Sequence, residues 1–182
     1  MSFEHLFSPI KIRGMEMKNR IFLPAMWTRT VTMQEGIVTQ QLIDYHVARA
    51  KGGCGLNLTE VCAVHRSAKG RSFMGLYNDE QQAGIKRLVD AVHEVGGKVG
   101  VQIWHGGTVS VANLPADVPP MLTETMTLDD IKMIVKAFGD AARRAVETGC
   151  DCLEFHAAHT YLPHTFLSPG LNQRSDEYSG SL

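Results

Sequence analysis

Two imidazoles and a phenol fall within six residues of one another in the run Glu154-Phe155-His156-Ala157-Ala158-His159-Thr160-Tyr161. The run closes a β-rich stretch that begins at Cys150, so His156 should end a strand while His159 and Tyr161 lie in the turn beyond it. Imidazole N–H groups three residues apart can meet one oxygen and stabilise negative charge developing on it. A phenol keeps its proton at pH 7 and can deliver it to a basic carbon. Two plainer readings stand beside this one. The histidines could be satisfied by backbone at the rim of a sheet, or they could be a zinc pair completed by His105.

Gln102 is the second candidate. Its amide both donates and accepts, which suits recognition of a ligand edge that does the same. The alternative is a buried amide paired with Asn57 or Thr59. The cysteines Cys54, Cys62, Cys150 and Cys152 carry no metal signature, because Cys150-x-Cys152 is too tight for zinc spacing, and they read as reduced core thiols. Arg174, Asp176 and Glu177 read as loop-ordering or solvated charges. No Gly-x-Gly-x-x-Gly follows a strand, so no dinucleotide-binding half is expected.

The elements that must position these groups alternate between short β-rich runs and amphipathic helices. Ile10-Lys11-Ile12 and Met15-Glu16-Met17 flank Arg13-Gly14 as a small hairpin plugging one end of a sheet. Strands are expected at Ile21–Met26, Gly55–Val61, Lys98–Trp104 and Cys150–His156. Between them, Thr39 caps a helix to about Lys51, and a second opens near Asn78 or Asp79 and ends at Gly96-Gly97. Thr127-Leu128-Asp129-Asp130 resembles a capping box at the head of a third, stopped by Gly149. The segments before Tyr77 and around Pro115, Pro119 and Pro120 read as irregular.

Strand–helix–strand at this cadence predicts a parallel sheet with right-handed crossovers. Leu56 and Leu58, then Val99, Val101 and Ile103, then Leu153 and Phe155 supply one apolar face. Asn57 and Thr59, Gln102, and Glu154 with His156 supply a polar one. A polar inner face near strand C-termini suits a barrel mouth, although a doubly wound sheet with satisfied buried polar residues fits the periodicity equally well.

With 182 residues, 44% hydrophobic and 20% charged, the chain has the composition of one soluble globular domain. A formal charge of -1 makes nucleic acid and anionic membrane poor partners, and no apolar run approaches a membrane span. The opening Met1-Ser2-Phe3-Glu4-His5 has no leader-like character, so a cytoplasmic location is expected.

The run from Glu154, continued by Phe166-Leu167-Ser168-Pro169 and Asn172-Gln173-Arg174-Ser175-Asp176-Glu177-Tyr178-Ser179-Gly180-Ser181, resembles the signature of the old yellow enzyme family of FMN-dependent ene-reductases. Leu6-Phe7-Ser8-Pro9-Ile10, Lys18-Asn19-Arg20-Ile21, Ala48-Arg49-Ala50-Lys51-Gly52-Gly53 and Gly97-Lys98 with Gln102 and His105 resemble its earlier segments in order. The likeness is nearer to the bacterial enoate and 2,4-dienoyl-CoA reductase-like branch. It implies the N-terminal half of a (β/α)₈ barrel of about four βα units, residues 1–182 forming a partial FMN-binding domain that stops after strand four.

By residue, the resemblance implies His156 and His159 as oxyanion donors and Tyr161 as the proton donor. It implies FMN contacts from Ala25, Met26, Trp27, Val61, Gln102 and His156, and no metal. Thr160 replaces a usual glycine, Thr108 a common arginine, and Trp27 is bulkier than the usual threonine or cysteine. NAD(P)H would be the hydride donor and a small enone or enoyl thioester the substrate, in a possible homo-oligomer. Larger relatives carry an iron–sulfur cluster and a second flavin domain, for which no cysteine run appears here. The competing expectations are a non-catalytic half-barrel that self-associates and a metal-dependent barrel hydrolase.

Overall fold

In the computed structural model, which describes residues 3–68, 70 and 72–179, the chain forms seven short strands and five α-helices. The opening helix α1 (Glu4–Phe7) leads into a hairpin of β1 (Ile10–Ile12) and β2 (Met15–Met17), paired antiparallel as expected, with Arg13 taking the left-handed φ of 51° in its turn. Lys18 Nζ donates to Ala50 O and Asn19 Nδ2 to Gly53 O, so the hairpin is tied beneath the N-terminal ends of the strands. A Cβ on Gly55 would lie 2.5 Å from Asn19 Oδ1, which is why the chain needs glycine there.

The main sheet runs β3 (Phe22–Leu23), β4 (Leu56–Ala63), β6 (Val99–Trp104), β7 (Cys152–Phe155), all parallel and adjacent in chain order, with β5 (Met74–Gly75) pairing beside β4. After β3, β4 and β6 the chain returns through α2 (Gln40–Lys51), α3 (Asp79–Glu94) and α4 (Leu128–Glu147), and a short α5 (Leu162–Leu167) follows β7. Sequential parallel neighbours with returning helices are the arrangement of the first half of a (β/α)₈ barrel, and the doubly wound alternative is set aside.

The helices begin where local chemistry predicts. Thr39 and Asn78 accept from Leu42 and Gln81 amides. At α4 the capping box is complete with Asp130: Thr127 and Asp130 each receive the other's backbone N–H. Leu42, Ile85, Leu88, Val89 and Val92 from α2 and α3 pack on Val99, Val101 and Ile103 to form the core.

Three expectations are corrected. The first strand is shorter than Ile21–Met26: only Phe22 and Leu23 pair with β4, because Pro24 has no N–H to continue the ladder. The faces of β4 are also reversed from the expected alternation. Register pairs Asn57 with Val99 and Leu58 with Gly100, so Asn57 points at the helices, where its amide donates to His46 O, while Leu58 faces the barrel interior. A bulge between Leu58 and Val61 inserts an extra residue and returns Val61 to the interior opposite Gln102. The segment before Tyr77 is also more regular than expected, holding a 3₁₀ turn at Arg66–Ala68 as well as β5. The Gly180-Ser181 end of the quoted motif lies outside the described residues.

Candidate active site

The carboxyl ends of the strands gather the candidate residues. His156 follows β7 with its amide bonded to Ile103 O, and Gln102 and Glu154 are register partners, so Gln102, Glu154 and His156 share the interior face. The ring centroids of His156 and His159 are 5.1 Å apart, those of His156 and Tyr161 4.7 Å, and those of His159 and Tyr161 6.0 Å, each pair edge to face. The three side chains therefore form one cluster.

The surroundings of His156 favour its neutral imidazole. Burial pulls the His156 pKa below the usual value, and the neighbouring His159 adds to this. His156 Nδ1 accepts the Ala158 amide at 3.3 Å, which leaves its remaining proton on Nε2, the atom free to donate to a ligand. Tyr161 packs at 5.2 Å on the buried Trp104, and its hydroxyl has no partner among the described residues.

Gln102 is half-buried between Val61 and Glu154 on the interior face, and its amide has no partner among the described residues. The pairing with Asn57 or Thr59 does not occur: Asn57 bonds to His46 O, and Thr59 Oγ1 donates to Glu60 O. Val61 packs with Tyr161 around Ala63 and Trp104.

Ala25, Met26 and Trp27 lie past the end of β3, with Met26 53% and Trp27 44% exposed. Trp27 is pinned. Its ring stacks on Phe73 at 4.4 Å, its Nε1 donates to Ser72 O at 2.8 Å, and the Arg29 guanidinium lies 4.2 Å over it. The following residue is pinned too, since Glu60 Oε2 accepts both the Thr28 amide at 2.8 Å and its hydroxyl at 2.6 Å. Burial raises the Glu60 pKa, the two Thr28 bonds oppose this, and Glu60 Oε1 is buried without a partner.

His105 stands apart from the histidine cluster. Its Nδ1 accepts the Gly107 amide at 3.1 Å, and its Nε2 lies 3.0 Å from Ser67 Oγ, which reaches His65 Nδ1 at 2.7 Å. Burial, aided by His65, lowers its pKa to about 3. With both nitrogens engaged, His105 is not a third ligand beside His156 and His159, and among the described residues no group of three candidate ligands could hold a metal ion. The hydrolase expectation loses its ligand set.

Sequence reasoning passed over Glu60, Phe73 and His164. Glu60 lay within the expected strand Gly55–Val61 with no role read for it, and the contacts of Phe73 and His164 depend on a loop and a turn whose shapes have no periodic signal. His164 Nδ1 accepts the Thr160 amide at 2.8 Å.

Residues 5–182 match the NADH:flavin oxidoreductase / NADH oxidase family. An NADPH dehydrogenase of Listeria monocytogenes serotype 4a (strain HCC23) is 40% identical over 184 residues, covering 96% of this chain and 54% of that protein. An NADH oxidase of Thermoanaerobacter brockii is 37% identical over 194 residues, covering 98% and 30%. Among solved structures, morphinone reductase superposes with a TM-score of 0.86 at 30% identity, covering all of this chain and 56% of that one. A 2-naphthoyl-CoA reductase in complex with 2-naphthoyl-CoA superposes with a TM-score of 0.89 at 28% identity, over 99% of this chain and 31% of that one. The chain thus spans about half the length of the NADPH dehydrogenases it matches. Among the described residues no helix is long and apolar enough to cross a membrane. A four-strand half-barrel with a histidine–histidine–tyrosine cluster at its mouth, matched along nearly its whole length, belongs to the NADH:flavin oxidoreductase / NADH oxidase family of oxidoreductases.

Proposed function

We propose that this chain carries the substrate-activating part of an FMN-dependent reductase that uses NAD(P)H to reduce the C=C bond of α,β-unsaturated carbonyl compounds. The observation that carries the reading is the convergence of His156, His159 and Tyr161, with centroids 4.7–6.0 Å apart, at the carboxyl end of β7.

The residues present fit a flavin. Gln102 directs an amide without a protein partner to the interior, able to donate to and accept from a pyrimidine-like edge, with Val61 beside it. Ala25, Met26, Trp27 and His156 would complete the contacts. These residues would hold FMN, which would supply the hydride chemistry of the reduction.

The chain's own residues do the rest. His156 Nε2–H and an N–H of His159 donate to the substrate carbonyl oxygen and stabilise the enolate charge as it grows. Because burial keeps His156 neutral, it donates without surrendering its proton to solvent. Tyr161 holds its phenolic proton near the α-carbon and delivers it there. The buried Trp104, itself packed on Phe73, backs the Tyr161 ring.

The test is the double variant His156→Ala with His159→Ala in the FMN-loaded protein. Loss of the oxyanion donors should lower kcat/KM for 2-cyclohexen-1-one by about 10²–10³-fold. Flavin reduction by NAD(P)H should change far less. Unchanged enone binding and turnover would falsify the assignment.

A further inference from the structure

The turn that presents Tyr161 has a backbone that its sequence disfavours. His159 (φ 56°) and Thr160 (φ 59°) are consecutive left-handed residues, and both carry a Cβ. Such residues occur singly, seldom in pairs, and persist where surrounding contacts over-determine them.

Thr165 N donates to Tyr161 O at 3.0 Å as the first bond of α5, and four further hydrogen bonds hold the turn. Tyr161 N donates to Ala158 O at 3.1 Å, and Thr160 Oγ1 donates to His159 O at 2.5 Å, both within the turn. Leu162 N donates to His105 O at 3.0 Å, beyond it. The fourth is the Thr160 amide donating to His164 Nδ1 at 2.8 Å. It alone brings a side chain from outside the turn to one of the two left-handed residues. His164 lies on the first turn of α5, whose N-cap is Tyr161, so the imidazole reaches back across the residue whose aim matters.

The Tyr161 side chain itself has no polar anchor. The Tyr161 hydroxyl is bonded to nothing among the described residues, and its direction is set by ring packing on Trp104 and His156 and by the backbone beneath it.

We propose that His164 is a positioning residue: with Nδ1 unprotonated, it clamps the Thr160 amide, locks the left-handed pair, and keeps the Tyr161 phenol pointed into the site. The inference rests on the reading of Tyr161 as proton donor. It also explains how threonine can stand where a glycine would adopt the same φ without cost. Removing the Cβ at residue 160 should make the clamp dispensable. Asparagine at 164 should preserve it, because an amide oxygen at the δ position can accept the same N–H.

The experiment has a kinetic and a spectroscopic arm, both on FMN-loaded protein. His164→Ala should slow reoxidation of the reduced flavin by 2-cyclohexen-1-one about 3- to 10-fold, the equivalent of one ordinary hydrogen bond, while reduction by NAD(P)H keeps its rate. His164→Asn should retain most of the rate, and Thr160→Gly placed on His164→Ala should return most of what was lost. In NMR spectra the wild-type His164 should be the Nε2–H tautomer, and the Thr160 amide should exchange more slowly than in His164→Ala.

Wild-type reoxidation in His164→Ala, failure of Thr160→Gly to rescue it, or equal Thr160 exchange in the two proteins overturns the proposal. Tyr161→Phe is the control for the underlying reading. If it leaves reoxidation unchanged, Tyr161 is not the acid and the purpose assigned to His164 falls with it, even where the amide is protected. If it slows reoxidation while His164→Ala does not, only the clamp is wrong.

Discussion

The middle of the sheet and its last strand are built from the same βα unit yet live in different surroundings. β4 and β6 have neighbours along both edges and are buried over nearly their whole length, with α2 and α3 closed over their outer faces. Among the described residues β7 pairs only with β6, and Leu153 and Phe155 on its helix-facing side remain 39% and 50% exposed. Phe155 touches Phe138 of α4 and then borders an apolar groove of about 450 Å³ shared with Ile134, Leu162, Phe166 and Tyr178. Gln102 therefore stands on a strand paired along both edges, whereas His156, His159 and Tyr161 follow one paired, among the described residues, along a single edge. The turn after β7 is held partly by a side chain, the Thr160 amide donating to His164 Nδ1, whereas register places Gln102 on β6.

The largest effect that can break this contrast is a matched pair of core truncations. Ile103 is 2% exposed and locked between helices and sheet, so Ile103→Ala should cost about 2–5 kcal/mol. Leu153→Ala, one strand over on the same face, removes a side chain already partly in water and should cost roughly 1 kcal/mol or less. Urea midpoints at constant m-value measure both. Equal costs would mean that β7 is as firmly packed in solution as β6.

Acid sensitivity sharpens the same contrast. His46, buried on α2 behind β4, has both ring nitrogens without partners, and burial, aided by Arg49, lowers its pKa to about 4. His105 is lowered to about 3. The unfolded chain takes up these protons near pH 6.5 and the folded chain does not, so stability falls as pH drops from about 6.5 towards 4. Each group contributes about 1.4 kcal/mol per pH unit to that slope, or on the order of 3 kcal/mol across the window for His46. His46→Leu should remove one proton's worth of slope. An unchanged acid limb would show that the imidazole is not buried neutral.

Legibility divided along the same line. The four strands, the three long helices with their caps, and the hairpin could be read because each has a local cause: an apolar stripe, a capping side chain, a glycine stop; the short α5 has none and was not expected. The cluster of His156, His159 and Tyr161 was legible through motif spacing. The faces of β4 were not, because one extra residue between Leu58 and Val61 inverts the alternation, and a bulge leaves no mark in hydrophobic periodicity. Nor was the Trp27–Phe73 stack, which joins two loops 46 residues apart through side chains alone.

The smallest effect concerns two threonine caps with the same local role. Thr127 is exposed and, among the described residues, its hydroxyl bonds only with Asp130, so Thr127→Ala should cost about 1 kcal/mol, the usual worth of an N-cap. Thr39 caps α2 in the same way but also donates its hydroxyl to Thr30 O, in the loop that carries Trp27 and Thr28. Thr39→Ala removes the cap and leaves that half-buried carbonyl without its donor, so it should cost more than Thr127→Ala by roughly the 0.5–1.5 kcal/mol of one hydrogen bond. It should also loosen the Trp27 stack, visible as a change in tryptophan fluorescence that Thr127→Ala does not produce. Equal costs and identical spectra would mean that Thr39 serves its helix alone, and that the loop after β3 is held by Glu60 and Phe73 without it.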